Sequence, residues 1–406
     1  MVDGDRVNGL AYIDDQVFDA EMERIFRNGW VFVGHISEVP APGDVVCRNL
    51  GGDPYLLIRG RDDEVRVLAN RCSHRGTKLI QRPRDSVRSM QCIFHGWTFG
   101  LDGGLRGVTQ PGGMVVDRAD CDLARPGQVD TYRGFVFANL SGTAGSLDDH
   151  LGEGGRYLLD WACDLSPAGE LDISAGWLGQ RSTSNWKMWA ESDLDGYHLG
   201  ILHSSLWRAA PGSQYETAVF AGENVVTSTT RDRGNGHVEL EFWRGYDREL
   251  AWLGVPRERV ADYVADLTAA RGSERAEELL WQGPPHALIF PNLFLGEMNL
   301  AIIEPVAAGA TVHHHTPLTL AGVAPSFNQR VLRQSEAAMG PAGFLLPDDA
   351  AASERVQAAF GRTGGWMDIS RGRGREVVED NGDIVGHVSD EVPNRGFWQC
   401  WHELMS

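Results

Sequence analysis

The sequence predicts an α+β protein, with a small antiparallel β domain inserted into a larger domain of antiparallel sheet flanked by helices. Three observations predict it. At 406 residues the chain is long enough for about two or three domains. From Asp44 to about Gly142 it runs in short β-rich stretches separated by turn signals, and beyond Ser146-Leu147 strand and helix patterns mix.

The opening reads as a helix, capped by Asp14-Asp15, with Val17, Phe18, Met22, Ile25 and Phe26 at helical spacing. Pro40 and Pro42 then punctuate the chain. Tyr55-Leu56-Leu57-Ile58, Val65-Arg66-Val67-Leu68 and Gly134 to Ala138 read as strands. Gly51-Gly52-Asp53, Arg61-Asp62-Asp63 and Asp102-Gly103-Gly104 are the turns between such runs. Later strands are expected within Val219 to Trp243 and Ala287 to Val323, broken at Pro291 and Pro305. Helices are expected near Trp189–Leu202, Arg257–Arg271, Asn328–Ala338 and Asp348–Phe360. The predicted boundaries are an N-terminal helical segment, 1–39, packing on the larger domain; the small β domain, 40–155; and the larger domain, 156–406.

A composition of 42% hydrophobic and 23% charged residues fits a globular chain, and a net charge of −19 argues against nucleic acid or an anionic membrane as partner. Met1 to Arg6 lacks a basic segment leading into an apolar run, and no stretch approaches about 18 uninterrupted apolar residues. A cytoplasmic protein without an export signal or membrane span is therefore expected. The six cysteines are too sparse for a disulfide scaffold, and Cys47, Cys121, Cys163 and Cys400 read as small buried hydrophobes.

Cys72 and Cys92 differ, because each has a histidine at short range: Cys72-Ser73-His74 and Cys92-Ile93-Phe94-His95-Gly96-Trp97. Two cysteines and two histidines also make a tetrahedral zinc site. Zinc fingers, however, usually pair like with like, whereas each loop here offers one sulfur and one nitrogen. That suits two irons, one held by both cysteines and the other by both histidines, with a potential above that of an all-cysteine cluster. These loops resemble the Rieske iron–sulfur domain, including the glycine and aromatic that follow the second histidine. Arg71, Arg75 and Lys78 flank the site as cations able to offset its charge.

A second constellation runs from Asn185-Trp186-Lys187 through Glu191-Ser192-Asp193-Leu194-Asp195-Gly196-Tyr197-His198 to His203. On a helix Asp195 and His198 share a face. His198 and His203 lie about 140° apart around an ideal helix, so both meet one metal only where the helix loosens or ends; Gly200 permits that. A carboxylate would complete a facial triad that leaves iron(II) open. Gly340-Pro341-Ala342-Gly343 to Pro347-Asp348-Asp349 supplies two acids at a helix start, and spacing does not choose between them; one of the pair is read as an N-cap.

With both constellations present, the chain resembles the large (α) subunit of the Rieske aromatic-ring-hydroxylating oxygenases from about Phe18 onward, including the closing Arg395-Gly396-Phe397-Trp398 and Trp401. The resemblance implies a [2Fe–2S] cluster on Cys72, His74, Cys92 and His95, and a mononuclear Fe(II) on His198, His203 and Asp349. It gives Asp195 a bridging role, hydrogen-bonded to His198 and to His95 across a boundary in a head-to-tail homotrimeric ring. It further implies NAD(P)H electrons through a separate reductase, with or without a ferredoxin, since no nucleotide-binding glycine motif is evident. Oxygen would enter an aromatic substrate, an aromatic acid or relative, by cis-dihydroxylation or hydroxylation, with a small β subunit as a further partner.

Two positions depart from the family. Ser192 stands where relatives usually have asparagine, and Ala301 stands where relatives that grip an aromatic carboxylate can carry arginine. Arg395 reads either as a carboxylate anchor or as a surface or structural arginine. His313-His314-His315 reads as a solvated or interface strand, since neighbours on a strand face opposite ways. Trp186, Trp189, Trp207 and Trp281 read as core. The rival readings are a Rieske monooxygenase or dealkylase, a Rieske electron carrier, and a zinc-stabilised binding module.

Overall fold

Alternation of Val, Leu and Ile with polar residues between Asp44 and Ala69 favours strands with one face buried, and three such strands form there. In the computed structural model, which describes residues 1–113, 116–209, 227–296, 298–340 and 342–406, Asp44–Leu50, Asp53–Arg59 and Val65–Ala69 pair antiparallel, with Arg84–Ser86 on the outer edge. A second sheet joins Gln128–Tyr132, Phe135–Asn139 and Val31–His35. Val45, Leu56, Ile58, Leu68 and Phe99 pack with Cys72, Cys92 and Trp97 in one buried cluster. This unit spans residues 22–147, and residues 1–21 and 148–406 form the other, so the small unit is inserted into the larger one.

The unit boundaries differ from 40 and 155. Val31–His35 is a strand bonded to Phe135–Asn139, so the chain after Glu21 belongs to the β unit. At the other end the helix Leu147–Asp164 starts before residue 155 and falls with the larger unit.

The larger unit is organised on a nine-stranded antiparallel sheet. Its strands are β1 (Leu178–Ser182), β2 (Thr229–Asp232), β3 (Val238–Glu241), β4 (Ala287–Ile289), β5 (Leu293–Gly296), β6 (Asn299–Ala307), β7 (Ala310–Pro317), β8 (Val377–Val378) and β9 (Ile384–His387), in the order β1-β7-β6-β5-β4-β3-β2-β9-β8. Pro291 breaks the sheet between β4 and β5 as expected. Pro305 instead lies inside β6, where the register shifts toward the hairpin end. The part of the expected Val219–Trp243 strand region that precedes residue 227 lies outside the described residues. Helices α1 (Trp186–Asp193), α2 (Leu199–Leu202), α3 (Pro325–Met339), α4 (Leu346–Phe360) and α5 (Val392–Met405) complete the part of the unit that carries the site. Among the described residues no helix is long and apolar enough to cross a membrane.

Both ends of the chain are tied to α1 by buried polar groups. Lys187 on α1 and Glu21 are each fully buried and pair at 2.6 Å. The indole N–H groups of Trp186 and Trp401 donate to the same carboxylate at 2.9 and 2.7 Å. The ammonium also lies 5.4 Å from the Tyr12 ring centre and 5.3 Å from that of Trp186. One turn along, Glu191 accepts from the Tyr12 hydroxyl at 2.8 Å and from the Trp398 indole at 2.6 Å. Removing one partner of such a pair strands a charge in low dielectric, so Lys187→Met is expected to destabilise the unit by about 3–5 kcal/mol. Adding Glu21→Gln should recover much of that loss. Denaturant unfolding of the two variants checks both statements, and an unchanged midpoint for Lys187→Met would contradict the first.

Candidate active site

The small unit brings Cys72, His74, Cys92 and His95 together on two loops that make the same turn twice. Cys72 N donates to Thr77 O at 2.9 Å and Gly76 N to Cys72 O at 2.9 Å. Cys92 N donates to Trp97 O at 2.7 Å and Gly96 N to Cys92 O at 3.0 Å. Each turn ends on a glycine at positive φ, +77° at Gly76 and +72° at Gly96, where an L side chain is strained. The shared signal, glycine four residues after cysteine, was present in the sequence, although no repeat was evident there.

Both sulfurs are buried, while the imidazoles lie toward the surface with ring centres 4.6 Å apart. Trp97 stacks on His74 at 4.7 Å. Burial opposes charge on Cys92, yet the N–H groups of Phe94 and His95 outweigh it and hold that thiol below its ordinary value. Burial, then the neighbouring His74 and Arg75, lowers the His95 pKa and favours neutral imidazole. The His95 Nδ1 atom is buried without a partner. Two thiols and two imidazoles, one nitrogen of them unsatisfied, fit a mixed-ligand iron–sulfur cluster. Arg71, Arg75 and Lys78 are exposed, and Arg75 covers the Phe94 ring at 5.2 Å.

In the larger unit, Asn185 caps α1 by accepting from Lys187 N at 3.1 Å, and the helix ends at Asp193. The following turn requires a glycine at 196, because a Cβ there would lie 2.3 Å from Val388 O. Asp195 and His198 therefore sit in this turn and not on one helix. Asp195 Oδ1 accepts from Tyr197 N at 2.6 Å, and Oδ2 faces His198 Nδ1 at 3.1 Å. His198 and His203 bracket the four-residue helix α2, so the departure from regular helix lies at its two ends and Gly200 stays inside it.

The two histidines meet with Nε2 atoms 3.2 Å apart. Asp349 Oδ1 lies 3.5 Å from one and 3.4 Å from the other. These are the only three metal-ligating side chains among the described residues that converge in this way, with donor atoms all within 4.8 Å. Asp349 is 9% exposed and Asp348 37%; the latter faces His203 Nδ1 at 3.6 Å and Ser205. Neither acid is the N-cap of α4, which is Leu345; both lie in the first turn, at the helix's positive end.

Electrostatics favour a cation there. Burial alone would lower the His198 pKa, but hydrogen bonds to Asp195 and Asp349 outweigh it and lift the value to about 9. At neutral pH that ring carries a proton on each nitrogen, and a metal would take the place of the one on Nε2 while Nδ1–H stays donated to Asp195, the second-partner arrangement common for metal-bound histidines. Two imidazoles and a carboxylate, close together and attracting positive charge, fit a divalent iron that keeps open positions.

Several sequence-based expectations change. Arg395 is not free to grip a substrate: it donates to Ile369 O at 2.7 Å and Arg371 O at 2.9 Å, and pairs with Glu376 at 2.7 Å. His313 and His315 are buried at 0% and 2% exposure; only His314 is partly exposed, paired to Glu304 at 2.6 Å. Trp186 and Trp189 are core, Trp281 is exposed, and the Trp207 side chain lies outside the described residues. Ser192, the departure from the family expected to alter the iron environment or gating, touches one of the three converging side chains directly: its hydroxyl donates to Asp349 Oδ1 at 3.1 Å.

Comparison with known proteins agrees with this division. Residues 29–126 match the family model described as Rieske [2Fe-2S] domain, and residues 160–406 match that described as ring hydroxylating alpha subunit (catalytic domain). The chain is 30% identical over 370 residues to toluate 1,2-dioxygenase subunit alpha of Pseudomonas putida, covering 89% of this chain and 80% of that one. It is also 30% identical to 2-halobenzoate 1,2-dioxygenase large subunit of Burkholderia cepacia, over 89% of this chain and 78% of that one. Among solved structures, a naphthalene 1,2-dioxygenase variant bound to phenanthrene superposes with a TM-score of 0.86 at 23% identity, covering 99% of this chain and 93% of that one.

Proposed function

This chain belongs to the ring-hydroxylating oxygenase alpha-subunit family, with a Rieske [2Fe–2S] domain ahead of a mononuclear-iron catalytic domain, and from that premise we propose the role of each site residue. Cys72, His74, Cys92 and His95 hold the cluster. His198, His203 and Asp349 hold the mononuclear iron. The observation that carries this reading is the convergence of those three side chains, with donor atoms within 4.8 Å of one another.

When bound, the cluster supplies electrons and the iron activates oxygen for insertion into an aromatic ring. The protein's residues hold and orient. Asp195 keeps one proton of His198 on Nδ1, Ser192 steadies Asp349 by one hydrogen bond, and Lys187 and Glu191 anchor α1 to Glu21 and to Trp398 of α5. The enzyme acts as the oxygenase component of a multimeric system fed by a reductase. We assign it to a head-to-tail ring of three α subunits in the cytoplasm, receiving NAD(P)H electrons with or without a ferredoxin, and with a small β subunit as a further partner. In that ring Asp195 reaches His95 of the partner subunit. The substrate is an aromatic compound related to the aromatic acids of the relatives' names.

A product screen tests this. Purified protein, a surrogate reductase and a panel of aromatic acids and hydrocarbons are incubated under labelled oxygen. Ring products carrying label, as cis-dihydrodiol or phenol, are expected. Demethylated product alone would move the chain to the dealkylating branch, and cluster reoxidation with no organic product would overturn the oxygenase assignment.

A further inference from the structure

Charge is unevenly distributed along this acidic chain, and a strongly basic stretch carries the cluster loops. Residues 70–101 hold six arginine or lysine side chains and a single acid, Asp85, in a chain whose net charge is −19. Within that stretch Arg71, Arg75 and Lys78 bracket His74, and all three are exposed. Among the described residues no carboxylate pairs with any of them, whereas Arg27, Arg66 and Arg106 of the same unit pair with Asp53, Asp62 and Asp102. The Arg71 stem runs past the Gly76 turn, and Arg75 covers Phe94. Phe94 is itself 54% exposed and its neighbour Ile93 83%. The surface beside His74 is therefore cationic with an apolar margin.

The cluster that these loops fit does not need that much positive charge. Two ferric ions, two sulfides and two cysteine thiolates sum to zero, and one added electron leaves a single negative charge. Neutral imidazole ligands add nothing to that sum. Three unpaired cations exceed what the loops themselves require and leave positive charge facing solvent.

The two histidine edges are also unlike. His74 is exposed, with one face stacked on Trp97 and the ring planes 9° apart. His95 is half-buried, and its ring leans on Phe94 with centres 3.9 Å apart. A cluster that takes an electron from one protein and passes it to another needs two approaches, and one edge cannot serve both at once. The function proposed above gives the His95 edge to Asp195 of a second copy. The His74 edge, bracketed by three unpaired cations, is left for the donor.

Resting on that function, we propose that Arg71, His74, Arg75 and Lys78 form the docking edge for an acidic electron-transfer protein, the donor that feeds this cluster. One electron leaves the donor's reduced centre, which is oxidised, and enters the cluster by way of the His74 imidazole; no bond is made or broken. Opposite charge steers the encounter and fixes its orientation, which raises association rates by about 10–1,000-fold, and salt screens the effect.

The probe is an acidic [2Fe–2S] ferredoxin, oxidised for calorimetric binding and reduced for stopped-flow kinetics, against the cluster- and iron-loaded protein at low salt. The double variant Arg71→Glu/Lys78→Glu is expected to weaken ferredoxin binding and to slow cluster reduction, each by at least about tenfold. The gap between wild type and variant should close near about 1 M salt. Reduced riboflavin, a small uncharged donor, should reduce the cluster at the same rate in both proteins. Equal ferredoxin rates in the two proteins would overturn the proposal. So would a wild-type rate that ignores salt, which decides the matter even if the variant does not fold. Slower transfer from pre-reduced cluster to iron in the variant, or a changed oligomer size, would give the edge to a second copy instead. Binding and cluster reduction are read without product, so salt-dependent docking with no oxygenated product would count against the proposed function and not against this edge.

Discussion

Replacing His198, His203 or Asp349 with alanine, one at a time, is expected to abolish turnover and release the mononuclear iron while the cluster's visible absorbance persists. The geometry gives each side chain one donor atom in a group spanning less than 4.8 Å, so none duplicates another. Losing one leaves two donors, and a divalent iron held by two protein ligands exchanges readily with solvent. The ligands of the cluster belong to a different compact unit, which explains why the visible spectrum should be untouched. Asp348→Ala is the informative control. That carboxylate is more exposed and only approaches His203 Nδ1 at 3.6 Å, so its loss should leave iron in place and reduce affinity by no more than about 10–100-fold. Metal analysis of the four variants, paired with product formation, settles the assignment. Iron kept in Asp349→Ala and lost in Asp348→Ala would exchange the roles of the two acids.

The parts of this molecule legible in the sequence were those with local signatures. Strands with alternating apolar residues, the helices at 325–339 and 346–360, and both cysteine–histidine loops carry their pattern within about twenty residues. What escaped depended on distant partners. Glu21 reads as one more acid on an amphipathic helix, because Lys187, Trp186 and Trp401 approach it only in the fold. Arg395 offered itself as a substrate anchor until two backbone carbonyls and Glu376 claimed its donors. The three consecutive histidines alternate in burial as strand geometry requires, yet which face was wet could not be read until α1 covered His313. The domain edges moved for a similar reason: Val31–His35 finds its partner about a hundred residues away, beyond any local pattern.

Asp195→Asn is expected to keep both metal centres and to slow electron transfer from cluster to iron by about 10–100-fold, the usual cost of removing a partner that orients a metal ligand. The carboxylate has two jobs in the turn, with Oδ1 accepting from Tyr197 N at 2.6 Å and Oδ2 facing His198 Nδ1 at 3.1 Å. An amide has one oxygen, so it can serve only one of these. Serving His198 keeps the imidazole proton on Nδ1 and Nε2 available, which is why iron occupancy should survive; the turn loses one hydrogen bond instead. Charge is lost in either case. A charged acceptor makes a hydrogen bond roughly twice as strong as a neutral one, so the contact proposed with His95 of the partner subunit weakens together with the one to His198. Asp195 is partly exposed, 24% at its side chain, so it is reachable from outside the chain while still touching the iron histidine. If it were only a turn-forming acid, asparagine, which suits such turns equally well, would change nothing. Single-turnover mixing of pre-reduced protein with oxygen and substrate separates the two cases. Cluster oxidation that lags far behind the wild type at full iron content supports the pathway through Asp195, and wild-type oxidation coupled to product removes this residue from it.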